Sequence, residues 1–201
     1  MGLSLSNEQL HTLLRFIGLL GRWNAVYNLT AVRDPALMLT HHLCDCLAAV
    51  QPLRRKLETV GGKRLLDVGS GGGLPGVVFA VAEPALEVIC VDSVGKKAAF
   101  VRQVAGELEL RNLTVLHARV ERVDVPRFDV IASRAYAALP EIVERTAHLL
   151  APGGIWLAMK GKTPTGEITQ LSGSVQVFHV EQVKVPDLGA DRCLVWMKPL
   201  H

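Results

Sequence analysis

The spacing of apolar residues divides the chain into an N-terminal part with helical periodicity and a longer part of alternating patterns. Between residues 6 and 26, apolar side chains recur every three or four positions, which predicts an amphipathic helix. Asp34 and Pro35 supply an N-cap and a first-turn proline for a second helix, which we expect to run to about Val50 and to stop at Pro52. Two helices are therefore predicted before any strand.

After this helical part, short apolar runs alternate with helical patterns. Five runs have the length and composition of strands: RLLDVG, EVICVD, LTVLHA, FDVIASR and GIWLAMKG. The patterns KKAAFVRQVAGEL and LPEIVERTAHLL predict helices between them. Such alternation predicts an α/β fold with a mostly parallel sheet and helices on both faces. The last two runs, SVQVFHVEQVKV and RCLVWMKP, are joined by a linker too short for a helix, so we expect an antiparallel hairpin.

Length and composition limit the number of domains. The chain has 201 residues, of which 49% are hydrophobic and 20% charged, a balance that is typical of globular proteins and excludes disorder. This length suits one α/β core. We expect one compact unit, in which residues 1–60 form a helical extension packed on a core domain of residues 61–201. The net charge of +3 is too small to indicate a nucleic-acid partner by itself.

The sequence also gives expectations about location. No apolar run reaches the roughly 18 residues that a membrane span requires, and the first residues lack the pattern of a secretory signal. The cysteines, Cys44, Cys46, Cys90 and Cys193, have no framework spacing and are expected to be reduced thiols. We therefore expect a cytoplasmic protein without a membrane partner. The oligomeric state is open, with a monomer as the working expectation.

The stretch LLDVGSGGGLPG, residues 65–76, places five glycines after the first predicted strand. Glycine lets a ligand approach the backbone closely, and this loop of an open α/β sheet is where ligands bind. The dinucleotide fingerprint G-x-G-x-x-G fits Gly71, Gly73 and Gly76, so NAD or a flavin is a candidate. Asp67, however, gives the form D-x-G-x-G-x-G, which is typical of methyltransferases that use S-adenosylmethionine. The acidic residue there orders the loop or meets the methionine end of the cofactor.

Features outside the loop favour S-adenosylmethionine over a dinucleotide. Asp92 closes the second strand, where a carboxylate accepts ribose hydroxyls of either cofactor. The Pro-Gly-Gly turn before the fifth strand and the terminal hairpin are typical of class I methyltransferases, and the chain is too short to add a dehydrogenase's substrate domain. We therefore expect the class I S-adenosylmethionine-dependent methyltransferase fold, with a seven-stranded sheet and an N-terminal helical extension.

The segment after the fourth strand, IASRAYAAL, bears on the target atom. It contains neither the Asp/Asn-Pro-Pro-aromatic motif of enzymes that methylate the amino nitrogen of adenine nor the cysteine nucleophile of C5-cytosine enzymes. The sequence argues against both chemistries.

A histidine- and cysteine-rich segment, HHLCDC, raises the question of a metal site. On a regular helix these side chains fan around the cylinder, so they do not provide the four convergent ligands that zinc requires. No metal is expected. A pairing of His42 with Asp45 near the mouth of the pocket is the favoured interpretation.

The glycine loop is one of seven blocks that carry a wider resemblance. The blocks are RWNAVYNLTAVRD, HHLCDC, LLDVGSGGGLPG, VDSVGKKAAFVRQV, ARVE, SRAYAAL and MKGK. In order and spacing they resemble the bacterial glucose-inhibited division protein B family, the guanine-N7 methyltransferases of small-subunit ribosomal RNA, over nearly the whole chain. The chain departs from the family at Cys46, where serine is frequent, and at Gly72, where proline is common.

The resemblance implies an activity, its partners and a set of contacts. The activity is methyl transfer from S-adenosylmethionine to N7 of a guanine in 16S ribosomal RNA, in the decoding-region loop of the small ribosomal subunit. Free RNA and the assembled subunit both remain possible substrates. The expected cofactor contacts, including the acidic residues of the wider fold, are Asp67, Gly69, Ser70, Gly71, Leu74, Asp92, Val120, Glu121 and Arg134.

Methylation at N7 of guanine agrees with the absence of both the Asp/Asn-Pro-Pro-aromatic motif and a cysteine nucleophile. Guanine N7 carries a lone pair and no proton, so its methylation requires no general base and depends on position and electrostatics. We expect Arg134 and Lys160, at the ends of the fourth and fifth strands, to be the catalytic residues that arrange the base, with an arginine holding its O6. Substrate contacts are expected from Asn28, His42, Arg119 and Lys160. The alternatives are a methyltransferase with another RNA or small substrate, a small oxidoreductase, and a non-catalytic RNA-binding assembly protein.

Overall fold

The structure is a computed structural model, and it describes residues 2–200. Its helices are α1 (Asn7–Tyr27), α2 (Pro35–Met38), α3 (Asp45–Leu47), α4 (Val50–Val60), α5 (Gly76–Ala82), α6 (Gly95–Glu107), α7 (Leu139–Thr146) and α8 (Thr165–Thr169). A π-helical segment, Leu39–Cys44, joins α2 to α3. The strands are β1 (Arg64–Val68), β2 (Glu87–Asp92), β3 (Leu113–His117), β4 (Phe128–Arg134), β5 (Leu150–Lys160), β6 (Val175–Gln182) and β7 (Cys193–Pro199).

The strands form one sheet in the order β3-β2-β1-β4-β5-β7-β6. The five neighbouring strands β3, β2, β1, β4 and β5 are parallel to one another, whereas β7 is antiparallel to both of its neighbours, β5 and β6. The predicted mostly parallel sheet with an antiparallel C-terminal hairpin is confirmed. The direction of the strand order reverses between β1 and β4, and the crevice at such a switch point is where ligands of open α/β sheets bind.

Both faces of the sheet are covered by hydrophobic side chains. In β1, Leu65 belongs to one core cluster and Leu66 to the other, because successive side chains of a strand point to opposite faces. The first cluster includes side chains of α1, α4, α5 and α6, and the second includes those of α7. Burial on both faces explains why the sequence shows continuous apolar runs at the central strands.

The N-terminal helix α1 is part of the hydrophobic core. Ser6 and Gln9 form a capping box at its start. Its apolar face, formed by Leu13, Phe16, Ile17, Leu19 and Leu20, is buried in the same cluster as α5 and α6. A Cβ atom built on Gly72 would lie 2.9 Å from Cδ1 of Leu20, so α1 packs directly on the glycine loop. The proposed division of the chain into 1–60 and 61–201 stays a prediction.

The expected course of the second helix is wrong. The helical path begins at Pro35 with the predicted Asp34 cap, but it widens into the π-helical segment and is interrupted at Ala48 and Ala49. Pro52 does not stop a helix. It lies in the first turn of α4, where backbone N–H groups have no partner within the helix, so proline costs no hydrogen bond there. The regular helix assumed for the histidine-rich segment is therefore wrong, since a π turn contains an additional residue.

Candidate functional site

The ends of the first four strands surround a cleft of about 270 Å³. Its walls are the last residues of β1 and β2 and the segments that follow β2, β3 and β4. Five predicted site residues line it: Gly69, Asp92, Arg119, Val120 and Glu121. The structure thus brings four expected cofactor contacts together, and it adds Arg119, which the sequence assigned to the substrate.

Backbone hydrogen bonds hold the glycine loop against the end of β2. The N–H groups of Gly69 and Ser70 both donate to the carbonyl of Val91. Asp92 accepts from the N–H of Gly71 at 2.9 Å with one carboxylate oxygen and from the N–H of Val94 at 2.8 Å with the other. Each oxygen retains a second lone pair that is able to accept a ribose hydroxyl. Asp92 therefore orders the loop as well as lining the cleft.

Asp67 lies fully buried beneath the same loop. Its Oδ2 accepts from the N–H of Gly76 at 2.8 Å. Only glycine fits at that position, because a Cβ atom would lie 2.4 Å from Sγ of Cys90. Within residues 2–200, Oδ1 of Asp67 and the hydroxyl of Ser70 have no hydrogen-bond partner. Burial raises the pKa of the Asp67 carboxyl to about 7, against the lowering effect of its bond to Gly76.

These features fit a cofactor that joins a nucleoside to a cationic amino-acid end. Two carboxylates at the cleft, Asp92 and Glu121, suit a nucleoside, and the unpartnered oxygen of Asp67 suits an ammonium group. Leu74, the remaining expected contact, has a buried side chain and an N–H bonded to the carbonyl of Ser70.

Arg134, an expected cofactor contact, is not among the residues that line this cleft, and residues distant in sequence hold it. Its contact with the cofactor stays a prediction. Its Nη1 donates to Oδ2 of Asp45 at 3.0 Å and to the carbonyl of His41 at 3.1 Å. Arg192, which precedes β7, donates from Nε to Oδ1 of the same Asp45 at 2.8 Å. We call Asp45, Arg134, Arg192 and His42 the arginine–aspartate cluster. It joins the N-terminal helices, the end of β4 and the start of β7.

His42 completes the cluster. Its Nε2 lies 2.7 Å from the hydroxyl of Thr30, and its Nδ1 lies 3.4 Å from Nη2 of Arg134. Burial and, to a smaller extent, the charge of Arg134 together lower the pKa of His42 to about 4. A neutral ring whose Nδ1 accepts from Arg134 donates from Nε2 to Thr30. His42 and Asp45 are therefore linked through Arg134, and the structure gives no direct bond for the expected pair.

Asn28 and Lys160 have structural partners. Asn28 ends α1 in the left-handed conformation, and its side-chain oxygen accepts from Arg33 at 3.0 Å. The ammonium group of Lys160 donates to the carbonyl of Ala137 and to both carboxylate oxygens of Glu167. These bonds tie the segment after β4 to α8. The predicted roles of both residues in substrate binding remain predictions.

The side chains of the cleft that sequence reasoning missed include Lys97, Tyr136 and Arg145. Tyr136 lies in the block SRAYAAL and was not assigned a role. Arg145 belongs to the amphipathic pattern of α7, where an arginine is indistinguishable from any solvated charge. The contribution of Arg192 was missed too, because nothing local connects it to Asp45.

The thiols near the site are protonated at neutral pH. Burial raises the pKa of Cys46 to about 12 and raises the pKa values of Cys44 and Cys193. In residues 2–200, no group of three or more His, Cys, Asp or Glu side chains is arranged to hold a metal ion. No helix in that same range has both the length and the apolarity to cross a membrane.

The chain is similar to known methyltransferases. A family model described as rRNA small subunit methyltransferase G matches residues 9–195. The Ribosomal RNA small subunit methyltransferase G of Paracidovorax citrulli is 57% identical over 99% of this chain and 86% of that protein. The protein of the same name from Leptothrix cholodnii is 54% identical over 99% of this chain and 91% of that protein.

Solved structures share the fold at low sequence identity. The ribosomal protein L11 methylase from Lactobacillus delbrueckii subsp. bulgaricus aligns with a TM-score of 0.60 at 15% identity over 77% of each chain. The O-methyltransferase from Bacillus cereus in complex with SAH aligns with a TM-score of 0.59 at 17% identity, over 91% of this chain and 90% of that one. At these identities the likeness shows the fold alone.

Proposed function

Because the chain belongs to the rRNA small subunit methyltransferase G family and is an rRNA methyltransferase, we propose that it methylates N7 of a guanine in 16S ribosomal RNA. The methyl donor in this proposal is S-adenosylmethionine, and the target lies in the decoding-region loop of the small subunit. The observation that carries the proposal is the glycine loop, which Asp92 fixes at the rim of a cleft at the switch point of the sheet.

The cofactor half of the proposal rests on three carboxylates. Asp92 and Glu121 line the cleft and hold the adenosine half, and Asp67 takes the ammonium of the methionine half with its unpartnered Oδ1. S-adenosylmethionine supplies, when bound, a methyl group on a positively charged sulfur. The glycines leave the backbone bare along the loop, so that the ligand lies close to the N–H groups.

The acceptor half depends on positioning rather than on proton transfer. Guanine N7 has no proton to remove. His42 is neutral, since its pKa is about 4, and its two ring nitrogens already face Thr30 and Arg134. The thiol of Cys46 is protonated, because its pKa is about 12. This chemistry supports N7 over C5 methylation, in which a thiolate attacks the base.

Arg134 is the proposed catalytic residue. Its Nη1 is engaged by Asp45 and by the carbonyl of His41, which fixes the guanidinium at the end of β4. We propose that this guanidinium holds O6 of guanine, the acceptor beside N7. Lys160, Asn28, His42 and Arg119 are proposed to contact the RNA around the target. We also propose that the protein acts as a monomer in the cytoplasm, on the free RNA or on the assembled subunit.

The test uses the chemistry of the product. N7-methylguanosine carries a positive charge on its imidazole ring, so that reduction followed by aniline cleaves the strand at that nucleotide. Ribosomal RNA from cells that lack the protein should resist cleavage at one position, and the purified protein with S-adenosylmethionine should restore it. Labelled methyl groups recovered on an exocyclic amine, on C5 or on a ribose would overturn the N7 assignment. No methyl transfer to either RNA substrate would overturn the whole proposal.

A further inference from the structure

Arg145 lines the cleft and is fixed by side chains from three segments. Its Nη1 lies 3.2 Å from the hydroxyl of Tyr136, and its Nε lies 3.4 Å from Oε1 of Glu121. A third bond joins it to Glu141 one turn earlier on α7. The guanidinium carbon also lies 5.9 Å from the centre of the Tyr136 ring. The side chain therefore has a single defined position at the rim of the cleft.

These ion pairs do little for the stability of the fold. The side chains of Arg145, Glu121 and Glu141 are 38%, 44% and 42% exposed. Ion pairs between such exposed side chains are screened by solvent and contribute little to stability. Their effect is instead geometric, because an arginine on an exposed helix face would otherwise sample many rotamers. The side-chain entropy is then already lost in the free protein, so a ligand that contacts this preorganised group binds with a smaller entropic cost.

Tyr136 connects this arginine to the glycine loop. A Cβ atom built on Gly69 would lie 2.2 Å from Cδ2 of Tyr136, so the tyrosine ring lies directly on the first glycine. The preceding Ala135 has a φ of 52°, a left-handed conformation that is unfavourable for a residue with a Cβ. Such backbone strain persists where the surroundings enforce it, and it clusters at ligand sites. The strained residue directs Tyr136 into the cleft.

We propose that Arg145 is a binding residue for the adenosine half of the cofactor, and that Tyr136 and Glu121 hold its guanidinium in position. The inference rests on the proposed function, because it assumes that S-adenosylmethionine occupies this cleft. Arg145 shares the cleft with Asp92 and is paired with Glu121, the two carboxylates assigned to the nucleoside. A planar guanidinium is suited to that end, because it packs favourably on aromatic rings such as a purine.

The experiment is calorimetric titration of the full chain with S-adenosylhomocysteine, and with adenosine and homocysteine separately. Arg145→Ala should weaken S-adenosylhomocysteine binding about tenfold, which corresponds to about 1.4 kcal/mol. It should weaken adenosine binding similarly and leave homocysteine binding unchanged. Arg145→Lys keeps the charge but lacks the planar fork, so it should not restore the affinity. Tyr136→Phe removes one of the three bonds that hold Arg145 and leaves those to Glu121 and Glu141, so it should weaken binding by less, about twofold to fivefold.

Arg122→Ala is the matched control. Arg122 lies on the same 3-10 turn as Glu121 and is outside the lining of the cleft, so its removal should leave all three affinities unchanged. Thermal unfolding of each variant measures any loss of folding, which we expect to be negligible for Arg145→Ala. If Arg145→Ala binds S-adenosylhomocysteine like the wild type, or if Arg145→Lys restores full affinity, the inference is wrong. Failure of the wild type to bind S-adenosylhomocysteine would instead refute the proposed function.

Discussion

The cleft and the arginine–aspartate cluster are neighbouring parts of one site, yet they are built differently. The cleft is formed by consecutive strand ends, and its central bonds join residues that are 2 to 21 positions apart. The cluster joins Asp45 to Arg134 and Arg192, across 89 and 147 positions. A local motif therefore encodes the part assigned to the methyl donor. The part assigned to the acceptor exists only after distant segments have met.

Replacement of Arg134 should give the largest effect. Removing a preorganised donor from an active site typically slows catalysis about 10²- to 10³-fold, so Arg134→Ala should slow methyl transfer by at least about 10²-fold. Rates are compared at equal folded protein, measured by circular dichroism. Arg55→Ala, which removes an ion pair with Glu181 on α4 and β6, is the control and should leave the rate unchanged. A small effect of Arg134→Ala would break the assignment of the cluster to the acceptor.

The cleft is tested by Asp92→Ala. The variant loses a carboxylate that orders the glycine loop and accepts the ribose hydroxyls, and charge-assisted bonds of this kind contribute roughly 1.5–3 kcal/mol. Cofactor affinity should therefore fall by about 2 kcal/mol, or about thirtyfold. Titration calorimetry with S-adenosylhomocysteine measures it. Unchanged affinity would show that Asp92 does not contact the cofactor.

Asp45→Asn separates the two regions. The exposed fractions of the Asp45, Arg134 and Arg192 side chains are 5%, 18% and 24%, so both ion pairs are largely buried. Loss of the carboxylate charge leaves two arginines without the anion that they share. After allowance for solvent near the arginines, we expect a loss of about 2 kcal/mol in the free energy of unfolding. The pKa of His42, followed by NMR, should fall further below about 4, because the charge of Asp45 raises it. Cofactor affinity should stay within twofold of wild type; a larger fall would mean that the regions are coupled.

The smallest effect is the pH dependence of cofactor binding. The pKa of Asp67 is raised to about 7, so its carboxyl is largely protonated at pH 6 and ionised at pH 8. An ammonium ligand favours the ionised form, and S-adenosylhomocysteine affinity should rise about tenfold between these pH values. Asp67→Asn should abolish the rise. The folding stability of the ligand-free protein has the opposite pH dependence. Because the pKa of Asp67 is higher in the folded than in the unfolded state, its contribution to stability falls as the pH rises from about 4 to 7. If the affinity of the wild type does not depend on pH, Asp67 does not bind the ammonium group and only orders the loop.

The same contrast explains which features the sequence predicted. The loop, the strand ends and the hairpin follow from short-range patterns, although the need for glycine at position 76 comes from its packing against Asp67 and Cys90. The second helix was mispredicted because proline is tolerated in a first turn and because no local signal marks a π-helical segment. Lys160 illustrates a further limit. Its position at a strand end was correct, but its partner Glu167 on α8 is not evident from the sequence.

The span of 147 residues between Asp45 and Arg192 also has a consequence for the order of folding. During synthesis, β1 to β4 and the glycine loop leave the ribosome before β7, so the cleft is able to assemble while Asp45 still lacks one of its arginines. Contacts of such long sequence separation form later than local ones, because closing a longer loop costs more chain entropy. The nascent chain should therefore acquire donor binding before it acquires a competent acceptor region. The arginine–aspartate cluster is thus complete only after β7, the last strand to be synthesised, has formed.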